Sequence, residues 1–577
     1  MKDIIGKSEQ SHFPICSCEA FIKLVEEHLD KNEVPNLTFL SILFGYLEHE
    51  LTVSRIILSD HSSDSETDKS FQNTTKQTAP DPEVLENKNV EVPFPTLELD
   101  VVQGLYEQFV LFMKANVDKS LPEYTTENGC ATSPLCKYIS DLMWNGLLRS
   151  YHKDKAHIQS LFSYFTGRQL DCFGLAFSVV AACQVLKYDD VHLVVSGDHA
   201  WVVCGNEEKD MVEVTWHGKG NEDKRGLAVD SGCTYKNWIY YGGKPVICDR
   251  WMELVAMLIS VNPSIDSHTE SEELQMIQHK LLHKLYQKGY MDRYPMALGT
   301  FAELQEGQQL GDDSAEVIHM KAVQTVKEIY DDLHIFPYCS QGHFYMRQKR
   351  FKEAIASWAK AAQVASKYNY GKDDEEVYKE MIDIANDLIP TSLRGGQLGE
   401  DKECYFDVIR FYDGVCLWEE GSSTPILHSW WARYFTLSVS RFPSVVRESY
   451  ADDPEKQDDG NLLRRSSRSL GSPSINSEAS SSSTCEKEDK FTSPKISATG
   501  ESSCKQPTNE PETKLLLRSH KMKALKDILT SGKKINTQAV GLLLTAQSQV
   551  QFVKRRSTVG DYSIEYKRSR KSKDLES

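Results

Sequence analysis

The sequence predicts a mostly α-helical protein with one small β component, and three observations carry that expectation. Apolar residues recur at three- and four-residue steps over most of the 577-residue chain. Strand-like runs cluster around residues 191–215, in VHLVVSG, DHAWVVC and MVEVTWHGKG. Gly342, Tyr345, Ala354, Trp358 and Ala361 fall at the spacing of a tetratricopeptide unit, where small residues let two helices approach and aromatics fill the gap.

Taken in order, residues 13–58 read as two helices, FIKLVEEHLD and LTFLSILFGYLEHELTVSRIIL, joined by a turn over Asn32–Asn36. Residues 59–95 are rich in Ser, Asp, Thr and Pro and predict a mobile loop. Helical patterning resumes at LELDVVQGLYEQFVLFMKANV and at LCKYISDLMWNGLLRSY, and the apolar run that Cys172 opens suits a buried helix. From about Arg250 to Leu393 amphipathic helices follow one another. The tetratricopeptide match lies among them, although Ser366 replaces the consensus proline and an ordinary antiparallel helix pair is the alternative. Either way this is a helical layer with a concave side. From Tyr450 to Glu512 the composition falls to Ser, Asp, Glu and Lys, which predicts disordered, phosphorylatable sequence. Order is expected again at LKDILTSGKKINTQAVGLLLTAQSQVQFV, before a basic tail over 554–573.

Composition narrows the function classes. A formal charge of -18 repels nucleic acid and anionic membranes and favours basic partner segments. The 14 cysteines show neither C-x-x-C pairs nor zinc-finger spacing, and Cys16 and Cys18 stand too close for a metal knuckle, so no metal is expected and a reducing compartment is. MKDIIGKSEQ lacks a signal-peptide pattern, and the longest apolar run, Gly174 to Leu186, is too short to span a bilayer. The expectation is an intracellular soluble protein. Gly218 to Gly220 lacks the features of a phosphate loop, and no cofactor signature is visible.

Two constellations have chemical content. Cys172 at a helix start and His199 leading a strand are placed as thiol enzymes place nucleophile and base. Such a base needs an orienting third group, and the following strand offers Thr215, Trp216 and His217. The orienter is expected to be absent, which leaves no working catalytic centre; alternatively, Cys172 is a small buried hydrophobe. The second constellation lies between Asp373 and Leu388. Glu376, Glu380, Asp383 and Asp387 form an acidic stripe beside an apolar one of Val377, Met381, Ile384 and Leu388. Like charges at this spacing cost roughly 0.2–0.5 kcal/mol per pair, and they would suit Arg side chains; the alternative is a solvated face. In the tail, Lys554, Arg555 and Arg556, then Lys567, Arg568, Arg570 and Lys571, look like nuclear-import clusters or a nonspecific DNA contact.

Several long strings resemble the menin family of nuclear scaffold proteins. They are KDKAHIQSLFSYFTG (153–167), DHAWVV (198–203), EVTWHGKGNED (213–223), NPSID (262–266), RYPMALG (293–299), FYDGVCLWEEGS (411–422) and LTAQSQVQ (544–551). The resemblance implies an N-terminal domain (1–118), a transglutaminase-like domain without enzyme activity (119–248), a helical palm with tetratricopeptide units (249–403) and a C-terminal finger domain (404–577). It also implies a central cavity for an Arg- and Phe-containing peptide of MLL-type histone methyltransferases, or for one of the transcription factor JunD. A composite surface would recruit lens epithelium-derived growth factor.

Carried over position by position, the cavity corresponds to Asp154, Asp198, His199, Ala200, Tyr294, Met296, Trp358, Glu376, Glu380 and Asp383. This chain departs from the family pattern at Phe336 and Ser340, where tyrosines are usual, and at Cys339, where methionine is. It departs again at Ala256, Thr300 and Glu303, in place of Phe, Asn and Asp, and at Cys172, where vertebrate relatives have Ser. A hydroxyl donor and part of an aromatic wall are thereby lost, which predicts a weaker or altered peptide preference. The favoured reading is a scaffold that binds basic peptides and is not an enzyme. A thiol hydrolase or acyltransferase using Cys172 and His199, and a helical adaptor without an enclosed pocket, are the alternatives.

Overall fold

Side-chain caps fix where many of the helices begin. Ser17, Asn36, Asp171, Ser271, Ser314, Asp401 and Ser519 each accept a hydrogen bond from a backbone N–H in the first turn that follows, satisfying a donor the helix cannot. The structure is a computed structural model describing residues 5–55, 93–148, 155–205, 210–215, 225–229, 236–370, 375–394, 398–420, 431–449 and 516–546. The expected loop over 59–95 falls almost wholly outside these residues. So does the polar segment 450–512, together with the basic tail and its clusters Lys554 to Arg556 and Lys567 to Lys571.

The N-terminal part holds α1 (Lys7–Gln10), α2 (Cys18–Lys31) and α3 (Leu37–Leu51), with the predicted turn between the last two. Then come α4 (Leu99–Asn116), α5 (Ser133–Gly146), α6 (Leu161–Gly167) and α7 (Cys172–Val185). Ten consecutive residues of α7, Gly174 to Cys183, are buried, which explains its lack of a polar stripe.

The sheet is antiparallel, with strands β1 (His192–Val195), β2 (Ala200–Cys204), β3 (Asp210–Val212) and β4 (Val246–Ile247) in the order β3-β2-β1-β4. Leu193, Val195, Ala200, Val202 and Cys204 join the core built by the N-terminal helices. Val194, Trp201 and Val203 join the core built by the C-terminal ones. Both faces are therefore covered, and strand parity decides which core a residue enters. The two-residue β4 is too short to leave a periodic signal in the sequence.

Helices α8 (Arg250–Ser260), α9 (Glu272–Gln287), α10 (Pro295–Gly307), α11 (Ala315–Ile329), α12 (Phe336–Arg347) and α13 (Phe351–Ala365) form the predicted helical layer. The repeat-like residues lie where α12 and α13 pack across a short turn. A Cβ at Gly342 would collide with the indole of the fully buried Trp358, so only glycine permits this approach. Next come α14 (Glu375–Asp383), a π-helical turn (Ile384–Leu388), α15 (Ile389–Ser392), α16 (Lys402–Glu419), α17 (Ala432–Val439), α18 (Ser444–Glu448) and α19 (His520–Leu529). Residues 537–546 are helical and bury Val540 and Leu544 in the second core. Among the described residues no helix is long and apolar enough to cross a membrane.

The return of the chain at α19 is pinned by an ion pair. Lys521, 1% exposed, meets Glu419, 3% exposed, while Asp413 accepts from the backbone N–H groups of Arg518 and Ser519. Removing one partner of such a pair strands a desolvated charge. Lys521→Met is expected to destabilise the protein by about 3–5 kcal/mol in denaturant melts, and Glu419→Met in the same chain to restore most of the loss.

Candidate functional site

Three helices present matching rows of accessible residues, each at a four- then a three-residue step. They are Met296, Thr300 and Glu303 on α10; Phe336, Ser340 and His343 on α12; and Glu376, Glu380 and Asp383 on α14. Such steps keep one face of a helix in line. Side-chain contacts join the rows. Ser340 lies beside Gly299 and hydrogen-bonds Glu303, while Glu380 interacts with Cys339 and His343. Further along, Arg347 of α12 makes a two-pronged contact with Glu306 of α10. The contacts advance together along α10 and α12, from Ser340 with Gly299 and Glu303 to Arg347 with Glu306, so these two run in the same direction, and α14 meets α12 at Glu380. Met296 and Phe336 thus form an apolar end, and Glu303, His343, Glu380 and Asp383 a charged one.

The charged end is a concave wall. Glu303 is exposed to solvent, yet desolvation raises its carboxyl above the ordinary value, against the pull of Arg347 and Ser340. A group can be both accessible and surrounded by protein only where the surface curves around it. Burial pushes Glu380 up to about 7; the Cys339 hydrogen bond opposes the shift, and the carboxylates of Asp383 and Glu303 add to it. Desolvation and Arg347 lower the pKa of His343, so it is neutral at pH 7. Its Nε2 stands 3.2 Å from Oε1 of Glu380, but Oε1 has no hydrogen-bond partner. The wall therefore holds carboxyl groups with too little positive charge to match them.

The residues of the acidic stripe read from the sequence differ in exposure: the Glu380 side chain is 21% exposed and faces α12, whereas Glu376 is 38% exposed and pairs with Lys379, and Asp383 is open. Asp387, also exposed, lies in the π-helical turn that follows. Ala200, Ala256, Cys339 and Trp358 are at most 1% exposed, so they offer no surface to a ligand. Tyr294 and His199 are also buried, and Asp154 lies outside the described residues.

A turn from the sheet closes the apolar end. The β1–β2 turn carries Gly197 and the half-buried Asp198, and a backbone hydrogen bond from Ser196 to His199 ties it off. A Cβ at Gly197 would come within 2.8 Å of both the Tyr241 hydroxyl and the Phe336 ring. Phe336 also packs edge-on against Trp238, with ring centroids 5.5 Å apart. Tyr241 and Trp238 escaped sequence reasoning because they belong to irregular chain between strands.

Behind this turn the orienting group thought to be missing is present. His199 Nε2 is 2.8 Å from Glu213 Oε2, and Cys172 is an electrostatic neighbour of the same imidazole. The register that pairs Val202 with Val212 sets Glu213 opposite Trp201, on the face that His199 shares. Thr215 lies one pair further along and donates its N–H and its hydroxyl to Glu213 Oε1; the Tyr240 hydroxyl donates to Oε2. Glu213 lies two residues before Thr215, the first position from which the orienter was expected. The detectable signal was a lone acid at an inward position of MVEVT. Trp216 and His217 lie outside the described residues.

Comparison with known proteins identifies the family of the chain. The family model described as Menin matches residues 6–514 and 448–572. The chain belongs to the menin family. It is also similar, at 34% sequence identity and a TM-score of 0.69, to a solved structure described as "Crystal structure of menin reveals the binding site for Mixed Lineage Leukemia (MLL) protein". The match covers 92% of this chain and 99% of that one. As a member of the menin family the chain is a menin-type scaffold, mostly α with a small antiparallel sheet.

The Glu380 carboxyl has a testable consequence for stability. Its folded pKa, about 7, lies above the ordinary 4.5, so the protonated form favours the folded state. That contribution is full below about pH 4.5 and is lost as the pH rises through 7. Glu380→Gln, neutral throughout, should be more stable than the parent at pH 8 by up to about 3 kcal/mol, with the gap narrowing as the pH falls through 7 and closing below about pH 4.5. Thermal melts across that range measure it.

Proposed function

We propose that this protein is a nuclear scaffold that holds an Arg- and aromatic-containing segment of an MLL-type histone methyltransferase against the face of α10, α12 and α14. One observation carries the reading: Glu380 is desolvated and Oε1 lacks a hydrogen-bond partner, at the charged end of a face whose other end offers Met296 and Phe336. A guanidinium fits the first need, because it is planar, always charged and able to hold a carboxylate through two hydrogen bonds. An aromatic or aliphatic side chain fits the second. The related structure, whose description names an MLL binding site, supports this choice of partner.

A JunD-type segment of similar composition would compete for the same face, and lens epithelium-derived growth factor would join only after the methyltransferase segment is in place. The basic clusters after residue 553 would serve nuclear import, with DNA contact limited to screened, nonspecific attraction. The methyltransferase activity of such an assembly belongs to the partner. Phe336 and Ser340 give the peptide no tyrosine hydroxyl, so the carboxylates carry more of the polar recognition.

A labelled peptide from the N-terminus of such a methyltransferase should bind the full chain, and Glu380→Lys should weaken binding by roughly 2–5 kcal/mol. Equal affinity of parent and variant would overturn the role of Glu380. Because a bound guanidinium favours the ionised carboxyl, affinity should also rise as the pH goes from 6 to 8. In Glu380→Gln that dependence should flatten. Fluorescence titration at both pH values reads the two effects separately.

A further inference from the structure

We propose that Cys172 is a nucleophilic thiol, activated by His199 and Glu213, and a site of covalent modification by soft carbon electrophiles. The thiol is half-buried at the first position of α7, a 14-residue helix whose N-terminus favours negative charge. Cys172 is an electrostatic neighbour of the His199 ring, whose Nε2 is held by Glu213, so Nδ1 is the nitrogen left to take the thiol proton. Glu213 is fixed in turn by three donors, the Thr215 N–H, the Thr215 hydroxyl and the Tyr240 hydroxyl. Nucleophile, base and orienter are thus all present.

The electrostatics agree with this geometry. Burial alone would pull the pKa of His199 down, but the Glu213 carboxylate and the Cys172 side chain outweigh it and carry it up to about 10. Burial pushes Glu213 the other way, and His199 and Thr215 bring it below the usual glutamate value. The other acidic neighbour is Asp171, the N-cap of α7, which burial raises to about 6. In the reaction the thiol sulfur attacks the electrophilic carbon, an S–C bond forms, the leaving group departs with its electron pair, and the thiol proton ends on His199. No turnover is required. The reactivity does not depend on which peptide the scaffold face accepts.

The test is residue-resolved alkylation of the full chain with iodoacetamide, quantified by peptide mass spectrometry between pH 5.5 and 9. Exposed Cys16 and half-buried Cys130 supply internal references. Cys172 should react roughly tenfold or more faster than Cys16 at pH 6, where an unassisted thiol is under about 1% ionised, and that ratio should shrink toward pH 9. Glu213→Gln should cost about tenfold at pH 6, Tyr240→Phe less, and Glu213→Asp should recover part of the rate. A wild-type Cys172 no faster than Cys16 at pH 6, gaining rate with pH as an ordinary thiol does, would overturn the proposal. So would a folded Glu213→Gln with an unchanged rate. Should that variant fail to fold, the wild-type pH profile alone decides.

Discussion

Everything accessible on the candidate face is positioned from α12, and α12 is positioned by one steric constraint. The absence of a side chain at Gly342 lets the helix lie directly on the indole of Trp358, and the aromatic surface of α13 then fixes its height and rotation. One row of α12 meets α10 through Ser340 and Glu303, and the next meets α14 through Cys339, His343 and Glu380. If α12 rotated, the two flanking rows would no longer converge. The repeat-like spacing in the sequence therefore records a packing requirement whose consequence appears on the opposite side of the helix.

The electrostatic character of the face follows from that convergence. A row of carboxylates on an isolated helix is mildly unfavourable and well solvated. Placed against a second and a third helix, the same residues lose water faster than they gain partners. Arg347 is the nearby cation, and Glu306 already occupies it with two contacts. The protein accepts a raised Glu380 pKa in place of a buried salt bridge. This is the preorganisation a cationic ligand needs, since the desolvation is incurred before the ligand arrives.

Much of this was legible in the sequence because helical rows are periodic. The spacing of Glu376, Glu380 and Asp383 could be read directly, as could the helix at Cys172 and the strands around His199. What escaped reading depends on contacts between elements. The π-helical turn over Ile384–Leu388 changes the helical period within five residues and carries no local signature. Glu213 was missed because the strand register, and not the order along the chain, selects the residue that faces His199. The unequal exposure of Glu376 and Glu380 depends on which of them α12 covers, and no pattern within α14 announces that.

The β1–β2 turn ties the thiol centre to the peptide face. Asp198 and His199 are neighbours in sequence, but the first is half-buried at the turn beside Gly197, while the second points inward to Glu213 and is stacked on Trp201. Gly197 is held between Tyr241 and Phe336, so the ring at position 336 limits where the turn can sit. A tyrosine there would add a hydroxyl to the face, whereas phenylalanine keeps the wedge and removes the polar end. Phenylalanine there would deny a bound peptide that hydrogen bond while keeping the contact that holds the turn carrying His199. The accessible face and the ordered Cys172, His199 and Glu213 cluster are compatible for that reason: the two use opposite sides of the same short turn.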